Sequence, residues 1–238
     1  MKTIFSRNEK KYIISQEQSE KLKIRIAEFM KPDKYSTYWV QNLFYDTENW
    51  DMIHTSMDKP YYKEKMRLRC YGSIVETDRV FLELKKKYSG VVYKRRVPLT
   101  PTNVMAMSIG ENLRQSNSQI SKELEYHIER TGVTEKFYLG YHRQAFAGIT
   151  EGDLRLTIDS DIRYRLDNLD FAQLINRGTA LDSNIFLLEI KTTSNIPLWL
   201  TKMLGELGIY STPFSKYAAC FTHWKNQENS ETLVIKSA

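Results

Sequence analysis

The chain has 238 residues, enough for one large domain or two small ones, and at 41% hydrophobic and 27% charged it is too rich in core-forming residues to be disordered. Lys and Arg total 35 against 29 Asp and Glu, a net charge of +6 that suits anionic partners without requiring them. The sequence contains no apolar run of the ~20 residues a membrane-spanning helix needs, no apolar signal core near its start, and neither a GxxxxGKS/T nor a GxGxxG phosphate loop. His54, His127, His142 and His223 lack the HxxxH or HxH spacing of a zinc site. Cys70 and Cys220 stand far apart in no CxxC pair, which reads as free thiols in a reducing, cytoplasmic setting.

Phe5 to Ile14 reads as a first strand, and Gln16 to Met30 as a helix that is apolar at Leu22, Ile26 and Phe29 and stopped by Pro32. Tyr38 to Tyr45 is a second strand, followed through Asp46-Thr47 by a short helical stretch, Glu48 to Ser56. Three strands lie between Tyr61 and Val97 and are closed by Pro98 and Pro101. A weakly helical stretch, Thr102 to Leu113, leads to a polar loop at Gln115 to Gln119. Ile120 to Arg130 is an amphipathic helix with Ser118 as N-cap and Gly132 past its end. Phe137 to Ala147, Leu154 to Asp159 and Ile185 to Lys191 are strands. Pro197 to Leu207 is a helix with proline in its first turn, and a last helix runs from near Pro213 to about Trp224, with a frayed tail after Asn226. There is no internal repeat, and the chain reads as a single domain, 1–238, with an ordered core of about 5–224.

The three central strands sort their side chains at the two-residue period of a β-strand. Lys63, Lys65, Arg67 and Arg69 share one face of the first strand while Met66, Leu68 and Cys70 share the other; Glu83, Lys85 and Lys87 alternate with Val80, Leu82 and Leu84; Lys94 and Arg96 follow the turn at Ser89-Gly90. The polar faces of the remaining strands add Arg7, Lys11, Arg143, Arg155 and Lys191, with Glu9, Glu83, Asp159 and Glu189 as the accompanying acids. These faces alone exceed the net charge of the whole chain. Like charges side by side destabilise a sheet unless an anion lies on them. An open sheet could show such a face to water, where lysine guards against edge pairing. Closing about eight antiparallel strands into a barrel would instead enclose a cationic tunnel with helices packed outside, an α+β fold whose interior suits phosphate chains.

The segments RNEKKY, NLFYDT, KMRLRCYG, FLELKKK, YHRQAF, LRLTID, FLLEIK and PFSKY follow one another as they do in the VTC (vacuolar transporter chaperone) polyphosphate polymerase domain, which the chain resembles from roughly Phe5 to Trp224. That domain belongs to the CYTH, or triphosphate tunnel metalloenzyme, superfamily. The resemblance implies an antiparallel barrel with a basic interior, a divalent metal (Mn or Mg), and transfer of the γ-phosphate of ATP to a growing inorganic polyphosphate chain. It matches Lys11 to the tunnel lysine of the first strand, Arg67 and Arg69 to an RxR pair, Lys85 and Lys94 to the next two lysines, and Arg143 to the arginine of YxRxAF. Arg155 falls in the RxTxD strand, Glu189 matches a metal-binding glutamate, and Lys216 the lysine of the SKY motif. Relatives carry ExExK on the first strand; here Arg7 replaces the first Glu, which leans away from a generic triphosphatase.

On this reading Lys216, Arg67, Arg69, Lys85 and Arg143 serve catalysis, while Arg7, Lys11, Lys94, Arg96, Arg155 and Lys191 hold phosphate. Ser215 joins them as a candidate phosphate contact, although a hydroxyl at a helix start more often serves as a cap. Glu189 is the first choice for the metal because Mg²⁺ and Mn²⁺ take hard carboxylate oxygens; Glu9 and Asp159 are second choices that also suit the orientation of arginines. Glu83, among the lysines, reads as structural, and Lys63, Lys65 and Lys87 as solvated or tunnel-mouth charges. A metal-dependent triphosphatase would use the same groups with water as acceptor, and a polyphosphate-binding module would need no metal glutamate. Nucleic acid is disfavoured, because the aromatics lie mainly opposite the basic face.

Overall fold

The computed structural model describes residues 8–58, 60–74, 79–171 and 177–236, the side chains of 231–236 excepted. Arg7 lies outside the described residues. In chain order the elements are β1 (Asn8–Ile14), α1 (Gln16–Ile26), β2 (Met30–Asp46), α2 (Asp51–Met57), β3 (Tyr62–Tyr71), β4 (Val80–Tyr88), β5 (Val91–Leu99) and α3 (Pro101–Ala106). There follow α4 (Ile109–Arg114), α5 (Gln119–Thr131), β6 (Thr134–Gly148), β7 (Arg155–Arg165), β8 (Thr179–Ala180), β9 (Phe186–Thr192), α6 (Leu198–Glu206) and α7 (Lys216–Lys236). The chain forms two compact units, each drawn from three segments: Met1–Tyr38, Tyr141–Ile162 and Ala180–Ala219 in the first, Trp39–Gly140, Arg163–Thr179 and Cys220–Ala238 in the second.

In the first unit β1 pairs antiparallel with β9, and β9 with β7. Strand alternation sends Tyr12, Ile14, Leu156, Ile158, Leu188 and Ile190 into a core closed by Leu22 and Ile26 of α1 and by Leu200, Met203 and Leu204 of α6. The opposite parity carries Lys11, Glu189 and Thr157, which face one another across the three strands in register. α1 is shorter than its apolar pattern suggests. Phe29 leaves the helix to stack on Trp199 at 4.2 Å, Met30 is buried, and β2 begins there and runs through Pro32.

In the second unit β2, β3, β4 and β5 are antiparallel neighbours. Met66, Leu68, Cys70, Val80, Leu82, Leu84, Val97 and Leu99 form the buried face, covered by Ile109, Leu113 and Leu124 of α4 and α5. Ser89 (φ 44°) and Gly90 (φ 85°) both take the left-handed conformation, making the two-residue turn whose twist suits a tight hairpin between β4 and β5. Pro98 sits within β5, where a missing N–H is tolerated because β5 is an edge strand. Ser118 caps α5, and Gly132 ends it at φ 65°, as the sequence indicates.

The expected closure into a barrel is not made. Among the described residues the strand path ends at β1 and at β5, so the antiparallel sheet is open while the α+β character stands. The last helix also runs further than composition suggests, through Lys236 rather than ending near Trp224.

The start of α2 shows how one buried side chain fixes a turn. Asp46 is fully buried; its Oδ1 accepts the N–H groups of Thr47 (2.9 Å) and Met52 (2.8 Å), and its Oδ2 that of Ile53 (3.0 Å). Trp50 reaches φ 62° to let the chain turn back onto this carboxylate, so the helix starts at Asp51 rather than Glu48. Replacing Asp46 by Ala strands these donors and is expected to destabilise the protein by about 2 kcal/mol. A urea titration of the variant against the parent measures this; an unchanged midpoint would show that water replaces the cap.

Candidate functional site

The basic face of the second unit is a ladder of cross-strand rungs. Lys65, Lys85 and Lys94 share one rung, Arg67, Glu83 and Arg96 the next, and Arg69 and Phe81 the one after. Glu83 is buried at 2% exposure, and three cations converge on it: Arg67 through Nε (3.0 Å) and Nη2 (2.8 Å), Lys94 Nζ at 2.6 Å and Arg96 Nε at 3.2 Å. Burial pushes the Glu83 carboxyl up, but Arg67, Arg69 and Lys94 outweigh that and hold it down at about 2. One carboxylate among several cations leaves a surplus of positive charge at a preorganised spacing. Arg69 is fixed separately, donating Nε to Oδ1 of buried Asn42 (2.9 Å), whose Nδ2 donates to the carbonyl of Leu139 (3.0 Å). The Arg96 guanidinium also lies 3.5 Å from the centre of the Phe81 ring.

The first unit carries a second, more deeply buried cluster. Asp159, fully buried, accepts Arg143 Nε at 2.6 Å and Nη2 at 2.8 Å, and pairs with Lys216 Nζ at 2.6 Å. Glu189 stands beside it, 2.7 Å from Lys191, 3.6 Å from Lys11, and 3.8 Å from both Lys216 and Arg143. Glu9 completes the set, 3.4 Å from Lys11 and 3.9 Å from Lys191. Tyr141 forms the floor, its ring 4.7 Å from Lys216 Nζ and 5.3 Å from the Arg143 guanidinium. Burial opposes ionisation of Asp159 and Glu189, yet the surrounding cations hold both below the usual carboxylate range. Burial likewise lowers Lys216, but Asp159, Tyr141 and Glu189 raise it above the ordinary lysine value, so it stays charged.

The donor set discriminates among the three acids as metal ligands. Both oxygens of Asp159 are filled at close range by Arg143 and Lys216. Glu189 Oε1 and both Glu9 oxygens meet ammonium groups only at 3.4 to 3.9 Å. Those two carboxylates fit a hard cation that completes its shell with phosphate oxygens and water, as Mg²⁺ does. Among the described residues no group of three or more His, Cys, Asp or Glu is placed to hold a metal by itself.

Two of the sequence-derived candidates point elsewhere. Arg155 shares a rung with Lys191, but its Nη1 donates to the carbonyls of Gly152 (2.9 Å) and Leu154 (3.0 Å) in the turn before β7. Ser215 Oγ accepts the N–H of Ala218 (3.4 Å), a cap for the first turn of α7 that positions Lys216. Asn42 and Tyr141 were missed. Tyr141 lies two residues before Arg143, so strand parity puts both on one face and could have found it. Asn42 meets Arg69 only through the β2–β3 register, which the sequence does not state.

A family model described as the VTC domain matches residues 6–225. The chain therefore belongs to the VTC domain family. No curated protein matches it in sequence. Among solved structures, a Hippeastrum protein assigned as an adenylyl cyclase and described as having a dominant triphosphatase activity is similar at TM-score 0.56 and 18% identity, over 90% of this chain and 95% of its own. An assigned adenylate cyclase from Bacillus halodurans is similar at TM-score 0.55 and 14% identity, over 87% and 92% of the respective chains. These likenesses show a shared fold.

The depressed carboxyl of Glu83 sets a pH dependence. Its folded value of about 2 lies below the ordinary 4.5, so its contribution to stability is complete above about 4.5 and is lost as pH falls toward 2. Glu83→Gln should lower the melting temperature at neutral pH and flatten its fall between those limits. Parallel melting curves of variant and parent that stay equally steep through this window would assign the acid sensitivity to other groups.

Proposed function

We propose that the chain is an ATP-dependent polyphosphate polymerase, transferring the γ-phosphate of ATP to the end of an inorganic polyphosphate chain with a divalent metal, Mn²⁺ or Mg²⁺. The observation that carries this reading is the Lys216–Asp159–Arg143 cluster flanked by Glu189, in a chain of the VTC domain family. Phosphoryl transfer asks little covalent work of a protein; it needs cations placed against the equatorial oxygens and a positioned acceptor. Lys216, Arg143 and Lys11 supply such cations in the first unit, and Arg67, Arg69, Lys85, Lys94 and Arg96 in the second. Lys191 serves as a further phosphate contact. Asp159 keeps Arg143 and Lys216 oriented and charged, so that neither has to be arranged when substrate arrives. Glu189, with Glu9, is the proposed metal holder, and the metal when bound neutralises charge on the transferring phosphoryl group.

A metal-dependent triphosphatase is the alternative, supported by the triphosphatase activity described for the Hippeastrum protein of the same fold. The two readings share every residue named and differ only in the acceptor. Incubation with ATP and Mn²⁺ separates them: long polyphosphate with ADP marks the polymerase, orthophosphate with ADP the triphosphatase. Absence of turnover with tight polyphosphate binding marks a binding module and rejects both.

Two variants test the division of labour. Glu189→Gln removes the charge a hard cation needs, and ADP release should fall by orders of magnitude, since metal stabilisation is worth several kcal/mol. Metal-free tripolyphosphate should bind as well as before or better, because an acid has been removed from a basic cluster. Lys216→Ala should weaken tripolyphosphate binding while leaving Mn²⁺ affinity, measured by calorimetry, largely in place. Normal metal affinity and turnover in Glu189→Gln would reduce that residue to a partner of Lys191 and Arg143.

Binding should also be opposed by salt, because several phosphate charges are met at once and exposed charges are screened beyond a Debye length of ~8 Å at physiological ionic strength. Tripolyphosphate titrations at rising KCl should show affinity dropping steeply; an affinity indifferent to KCl would be incompatible with a cationic site.

A further inference from the structure

The β4–β5 hairpin and the start of β3 carry a feature that the phosphate chemistry leaves unused. Tyr62, Tyr88 and Val91 form the rung next to the Ser89-Gly90 turn, with Tyr61 immediately before it. They are 45%, 59%, 52% and 81% exposed respectively. The carbonyl of Tyr61 accepts the N–H of Ser89 at 2.9 Å, which ties that residue to the turn. One residue further from the tip the rung is Lys63, Lys87 and Val92; the next is Glu64, Lys86 and Tyr93, with Tyr93 51% exposed. Single exposed apolar side chains need no explanation, but a contiguous group on adjacent strands marks an interaction surface.

The order of the rungs selects the partner. An apolar rung at the tip is followed, one strand residue or about 3.3 Å behind, by lysines. That sequence matches the layering of a bilayer surface, where tyrosine sits at the headgroup level and lysine reaches anionic phosphates from the water side. Glu64, the acid on the third rung, is engaged by Arg130 (3.3 Å), by Lys86 (3.6 Å) and by the Tyr62 hydroxyl, and Lys86 also meets Glu123, so the positive charge behind the tip rests on Lys63 and Lys87. A second copy of the chain fits poorly. A symmetric contact through one patch would bring the lysine rungs of both copies together, and lysine near an edge strand opposes strand pairing. We infer that the tip of the β4–β5 hairpin, with Tyr61 and Tyr62, docks the protein on the surface of an anionic lipid bilayer. Among the described residues no helix is long and apolar enough to cross a membrane.

Co-sedimentation of the full chain with phosphatidylcholine vesicles, with and without phosphatidylglycerol, tests the assignment in excess tripolyphosphate, which occupies phosphate-binding groups elsewhere. The parent should sediment with the anionic vesicles and not with the neutral ones. Tyr88→Ser with Val91→Ser, and separately Lys87→Glu, should each weaken that binding by about tenfold or more. Tyr88→Trp should keep it and show a blue-shifted emission on the vesicles, which reports insertion without relying on loss. The assignment is overturned if the parent stays in the supernatant, if tripolyphosphate abolishes sedimentation, or if both loss variants bind like the parent. It is equally overturned if light scattering shows the parent to be an oligomer that Tyr88→Ser with Val91→Ser dissociates, because the patch then belongs to a second copy.

Discussion

Repulsion among like charges on one sheet face is the constraint around which the structure is arranged. Strand alternation gathers Lys and Arg on a single surface of each unit, and neighbouring strands are only about 5 Å apart, so bare cations would oppose folding. Each unit meets this with buried carboxylates, Glu83 in the second and Asp159 with Glu189 in the first. Burial makes an isolated carboxylate costly, yet here it is surrounded by cations it cannot fully neutralise. The result is a set of positive groups held in place and still in net surplus.

The two clusters differ in how tightly they are sealed. Arg143 and Lys216 are packed over Tyr141 and bonded to Asp159 at short range, so their positions are fixed by the interior of the first unit. Lys94 and Arg96 lie on an edge strand and are more than a third exposed, so their attraction to Glu83 is weakened by water and salt. The cations of the first unit are therefore held in a fixed geometry, and those of the second keep more of their hydration.

Much of this was legible in the sequence because two-residue periodicity is written there directly. The apolar face of Met66, Leu68 and Cys70 and the basic face of Arg67 and Arg69 needed only alternation. Ser118 and Gly132 announced the ends of α5 by their chemistry. What periodicity cannot state is register. That Glu83 stands between Arg67 and Arg96, or that Asn42 faces Arg69, depends on how far each strand slides against its neighbour. Closure is equally invisible, since an open edge and a closed barrel ask for the same alternation. Arg155 shows the remaining gap: it holds the right parity, but turn carbonyls lie nearer to its guanidinium than the acid cluster does.

Asp159 and Glu189 illustrate why two carboxylates in one cluster need not share a role. Asp159 meets its cations at hydrogen-bonding distance through both oxygens, and breaking those contacts to admit a metal would leave Arg143 and Lys216 buried without a counter-ion. Glu189 has one close partner, Lys191, and three others near 3.7 Å, so its oxygens are the less committed of the two.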